Sequence, residues 1–183
     1  MTSFETSFPS RILRSAFRTV TSRTLAAALT LAAGLAAAVG LATPALAADG
    51  PPPGCQGDAG SAWINIVVDN VRSSNGLVTV TLYPDDSSQF LRSGASLERV
   101  RVPARAGKTT ACVILPRTGT WVFAVYHDEN GDKKFNRNAV GMPQEGFGFS
   151  NNPSTTLGIP AFRAVRLRVP NPGMETTIRL TYP

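Results

Sequence analysis

Apolar and polar positions alternate along most of the chain beyond its first sixty residues. Trp63 to Val71 is a β-branched, apolar run closed by Ser-Ser-Asn-Gly, and Asn75-Gly76 is a tight-turn pair. In Leu77–Tyr83, Val78, Val80 and Leu82 fall on one face and Thr79, Thr81 and Tyr83 on the other, the pattern of a half-buried strand. Val100 and Val102 alternate with Arg99 and Arg101 in the same way. Thr109–Leu115 gives a further strand, and Thr120–His127 is apolar on both faces, as a central strand is. Phe162–Val169 sets Val165, Leu167 and Val169 against Arg166 and Arg168, and Glu175–Tyr182 closes the set. No amphipathic helix competes with these strands. The pattern predicts an all-β fold, a seven-stranded antiparallel β-sandwich of immunoglobulin-like or transthyretin-like kind.

The N-terminal part follows a different pattern. Arg11, Arg14, Arg18 and Arg23 precede an uncharged run, Leu25 to Leu41, that ends near Ala45-Leu46-Ala47. This is the layout of a Sec-type secretory signal cleaved after Ala47. The arginines are not adjacent, so a twin-arginine route has no support. The run is short and rich in Ala and Gly for a membrane span. Residues 1–47 are therefore predicted to be a signal peptide, 48–61 a Pro/Gly-rich arm, and 62–183 the folded domain. The protein is expected to be periplasmic or secreted, with no membrane span after cleavage.

Removal of the leader changes the charge. The whole chain carries 18 basic and 12 acidic residues, net +6, but four arginines and one acid lie in the leader, which leaves +3. A small excess spread along strands does not point to nucleic acid. The two cysteines, Cys55 and Cys112, form an even pair in an exported chain and predict a disulfide that ties the arm to the body.

The chemistry-bearing residues gather in one long connection, His127 to Pro160. Phe135, Val140, Met142, Phe147, Phe149, Leu157 and Ile159 give it apolar residues to pack, and five glycines give it turns. Asp128, Asn130 and Asp132 sit at alternate positions, the spacing with which a calcium loop turns side-chain oxygens inward. In that reading the Lys134 carbonyl and Asn136 complete the ligand set, with calcium as the cofactor. Two positions depart from it: Lys133 stands where such a loop has glycine, and Ala139 where it has a bidentate glutamate. Glu145 lies further on and would have to fold back. A loop whose Asn and Asp side chains bind only its own backbone is the alternative without metal. A catalytic reading takes His127 as general base with Glu145, but no nucleophile elbow or zinc motif accompanies them.

Several blocks in this region are specific in order and spacing: His127-Asp128-Glu129-Asn130, then Pro143, Glu145, Gly146, Phe149, Ser150 and Asn151, then Pro160-Ala161-Phe162. Over roughly Ala62 to Tyr182 the chain resembles a bacterial exported family known as domain of unknown function 2141. The resemblance implies a small secreted or periplasmic β-sandwich with no established activity. It differs from the usual family loop at Lys133, where the family has glycine, and at Asn136, where it has aspartate. The combined expectation is a non-catalytic binding or structural module of the cell envelope. Its partner would be an envelope ligand or protein that the sequence does not name. A calcium-stabilised ligand-binding module and a hydrolase or lyase acting on envelope material through His127 and Glu145 are the alternatives. Oligomeric state is not legible.

Overall fold

The computed structural model describes residues 50–155 and 158–183. The leader assigned to 1–47 and Leu157 lie outside the described residues. The elements are β1 (Ala62–Val71), β2 (Leu77–Tyr83), β3 (Glu98–Pro103), β4 (Gly107–Leu115), β5 (Gly119–Asp128), β6 (Phe147–Phe149), α1 (Phe162–Val165), β7 (Arg166–Val169) and β8 (Met174–Arg179). They form two sheets. The smaller has the order β4-β1-β8. The larger runs β3-β2-β5, with β7 and β6 pairing in succession along β5: β7 at Gly119–Val122 and β6 at Ala124–Tyr126.

The mostly-β expectation holds, and three details change. The described residues form eight strands rather than the seven expected, because Phe147-Gly148-Phe149 of the long connection pairs with β5. The smaller sheet is mixed: β1 pairs antiparallel with β4 but parallel with β8. β8 arrives from β7 in the other sheet, so no hairpin fixes its direction. Finally, Phe162–Val165 is a single helical turn and not the first half of a strand. Residues three apart share a helix face, which lets Phe162 and Val165 both join one apolar cluster. In a strand they would face opposite ways.

One core lies between the sheets. Ile64, Ile66 and Val68 of β1, Val113 and Leu115 of β4, and Ile178 of β8 meet Val78, Val80 and Leu82 of β2 and Phe123 and Val125 of β5, all buried in one cluster. Each such side chain contributes about 1.5–3 kcal/mol on burial. The Asn75-Gly76 turn does not close a hairpin, since β1 and β2 belong to different sheets. It carries the chain across. Gly76 has φ 67°, and a Cβ there would sit 1.9 Å from the Asp128 carbonyl oxygen, so both its conformation and its space require glycine.

The outer face of β2 is also covered. Thr79, Thr81 and Tyr83 are at most 7% exposed, where simple alternation predicts solvent. Tyr83, Val122, Phe149 and Val165 form a second cluster on this side, with Phe90 packed edge-on against Tyr83 and Phe149. Arg166 forms a two-toothed ion pair with Asp85, which fastens the segment after β2 to the start of β7. Among the described residues, no helix is long and apolar enough to cross a membrane.

Cys55 and Cys112 are joined, with their Cα atoms 4.4 Å apart. Gln56 continues the attachment: its amide donates to the Cys112 carbonyl, and its carbonyl accepts from Ile114. The arm is thus added alongside β4. The bond closes a loop of 57 residues. Replacing both cysteines by serine is expected to lower unfolding free energy by about 4 kcal/mol, read from urea titrations, with the far-ultraviolet spectrum of the folded protein unchanged.

Candidate functional site

The long connection begins where β5 leaves the core. His127 continues the inward-facing series Trp121, Phe123 and Val125 and is fully buried. Its Nε2 lies 2.9 Å from the Asn75 carbonyl, which can only accept, so Nε2 carries the proton. Nδ1 then accepts from the Tyr182 hydroxyl at 2.8 Å. That hydroxyl accepts in turn from the Arg72 amide at 3.0 Å. Both ring nitrogens are therefore engaged, and neither hydrogen bond goes to Glu145. Arg72 also stacks over the Tyr182 ring at 4.5 Å and pairs through two nitrogens with Glu129, which also accepts from Ser73. The hydrogen bond from Arg72 holds the Glu129 carboxyl below its usual range.

Asp128 points to the other face and is also fully buried. Its two oxygens accept the amides of Asp132, at 3.1 Å, and Lys133, at 2.8 Å. The chain thus curls round the carboxylate, and Lys133 takes φ 64°, the left-handed conformation that glycine supplies in a typical loop of this kind. Asn130 Oδ1 also accepts the Asp132 amide. Asp132 accepts from the Lys134 amide and from the Asn136 side-chain amide, and the latter bond lowers its pKa most. Glu145 does fold back. One of its oxygens accepts the Asn136 amide at 3.1 Å, and burial pushes its carboxyl up, with Asp128 and Asp132 adding to the effect. One oxygen from each of Asp128, Asp132 and Glu145 lies within 4.8 Å of the others. Of the residues singled out by spacing, Asp128 and Asp132 converge, while Asn130, Lys134 and Asn136 meet the cluster through hydrogen bonds within the loop.

The remaining signature residues join strands. The backbone of Phe147 exchanges two hydrogen bonds with Thr181, and the His127 amide donates to the Gly146 carbonyl. Gly146 lies against Tyr182: a Cβ would come 2.2 Å from the ring. Buried Ser150 accepts the Phe123 amide at 3.1 Å and donates to the Val165 carbonyl. Asn151 donates to the carbonyls of Ala164 and Arg166, and Asn152 binds the backbone of both Thr177 and Arg179. These polar residues link β5, β7 and β8, which sequence spacing alone does not reveal. Pro143 pairs across the loop with Arg137.

Between this loop and the outer face of the larger sheet lies a cleft of about 1060 Å3. Tyr126, Phe135 and Phe147 form an aromatic wall, with rings at 5.5 and 5.9 Å spacing. Arg99, Lys133, Lys134 and Arg137 also line it, and no Asp or Glu side chain does. Val140, Met142 and Ile159, expected to pack, are instead 58–81% exposed, and Met142 and Ile159 stand at the cleft.

Two substitutions test how the loop is held. Tyr182→Phe should cost about 1–3 kcal/mol by leaving His127 Nδ1 and the Arg72 amide without their partner. Gly146→Ala should cost at least about 2 kcal/mol, since the ring has to leave its place. Denaturant titration of each variant measures both.

No curated protein and no solved structure matches the chain. The bacterial family described as "Uncharacterized protein conserved in bacteria", DUF2141, matches residues 66–177, which run from β1 into β8 and include the whole loop. The match spans more than half of the chain, and the protein belongs to this family.

Proposed function

We propose that the protein is an exported, non-catalytic binding module of the bacterial cell envelope. In this reading it is a β-sandwich of immunoglobulin-like or transthyretin-like kind that takes an anionic, largely apolar ligand in the cleft under its long loop. The cleft itself carries the proposal. Its volume suits a small ligand, its wall is aromatic, and four cationic side chains line it without an acidic one. Aromatic faces favour an apolar body, and a group of cations favours a negative end. The leader pattern and the Cys55–Cys112 bond support export. The common core of the two sheets supports the sandwich.

The catalytic alternative through His127 and Glu145 loses support from the buried imidazole. Both its nitrogens bind within the protein, and a general base needs one of them for substrate.

The test is competition against anilinonaphthalene sulfonate fluorescence in EDTA-containing buffer, using palmitate and its methyl ester. Palmitate is expected to displace the probe saturably and to bind roughly tenfold tighter than the ester, a difference of about 1.4 kcal/mol. The double variant Arg99→Gln, Lys134→Gln is expected to lose that advantage. Absence of saturable displacement by either compound overturns the reading.

A further inference from the structure

We propose that Glu145, Asp128 and Asp132 form a divalent-cation site, and that Ca2+ is the ion that fits it. This site is separate from the cleft and stands whether or not the cleft binds a ligand. Three carboxylate oxygens within 4.8 Å of one another do not by themselves make a site. The second observation is Glu145. It is only 5% exposed, and its Oε1 is buried without a hydrogen-bond partner. A buried carboxylate oxygen without a partner is costly unless a positive charge or a proton meets it. No cationic side chain hydrogen bonds to Asp128, Asp132 or Glu145 among the described contacts. Of the cations of the same loop, Lys133 and Lys134 line the cleft, and Lys134 also acts on Asp132 through its charge.

The donor chemistry selects the ion. Oxygen donors alone suit a hard cation, not zinc. Ca2+ takes oxygen ligands at about 2.3–2.6 Å in flexible geometry and accepts several carboxylates together. Mg2+ demands near-ideal octahedral geometry at about 2.0–2.1 Å and gives up its waters reluctantly, so a group of protein carboxylates suits it less. The ligand set is not the consecutive one implied by spacing. Asn130 and Asn136 are used in hydrogen bonds to the loop, and Glu145 takes the role that Ala139 cannot. Asp128 keeps a lone pair on each oxygen after accepting one amide apiece. Asp132 is exposed, which leaves the ion a way in, and water can complete the coordination.

The purified protein is stripped with EDTA, dialysed, and titrated calorimetrically with CaCl2 and MgCl2, with melting temperature followed in parallel. Ca2+ is expected to bind at one site and to raise the melting temperature more than equal Mg2+. Glu145→Gln is expected to keep its circular dichroism spectrum and lose affinity by roughly tenfold or more. Asp132→Asn keeps an acceptor for the Lys134 amide and serves as the second variant if Glu145→Gln fails to fold; its affinity should fall in the same way. No Ca2+ binding to the wild-type protein overturns the site. Unchanged affinity in a folded variant overturns the ligand assignment, and tighter Mg2+ binding overturns the choice of ion.

Discussion

A long connection inside a small β-domain has to hydrogen bond its backbone to something, and the rest of this structure follows from how His127–Pro160 does so. It uses three means. A short strand, β6, pairs with β5 and bridges to Thr181. Carboxylates at Asp128, Asp132 and Glu145 accept amides along the curl. Ser150, Asn151 and Asn152 reach strands that do not neighbour them in sequence. Each means depends on close approach, which is why Gly146 lies against a ring and Gly148 against the Arg179 carbonyl. The covered outer face of the larger sheet, the cleft, and the carboxylate cluster are results of that arrangement.

The paired buried groups divide the labour. His127 and Tyr182 sit in the seam between β5 and the chain after β8 and bind only protein, so they hold the seam. Glu145 sits across from Asp128 and leaves an oxygen unpaired. In a protein interior the first condition is satisfied and the second is not, and ligand chemistry is more to be sought at the second.

Much of the fold is legible in the sequence because strand period is a local property. Val78, Val80 and Leu82, and Leu167 and Val169, face inward as alternation requires. What alternation misses depends on distant partners. Thr79 and Thr81 read as solvent-facing, yet segments far along the chain cover them. Phe162–Val165 reads as strand, yet a helical turn puts both ends into one cluster. Asn75-Gly76 reads as a tight turn, but that the turn joins two sheets is not written in it. The parallel pairing of β1 with β8 leaves no local signal at all.

The site was partly legible. The spacing of Asp128 and Asp132 marks the curl, and Lys133 does adopt the conformation of the glycine it replaces. The return of Glu145 could not be read, because it depends on where β6 pairs. Nor could Tyr182 as the partner of His127, since the two are 55 positions apart and meet only across the folded sheets.

The most direct test of the account is amide hydrogen exchange resolved by residue. Protection of Lys133, Phe147 and Ser150 at the level of the β5 amides is expected, because each donates to a named oxygen. Exchange of these three amides at the rate of an unstructured peptide, with β5 still protected, would contradict an ordered loop built into the fold.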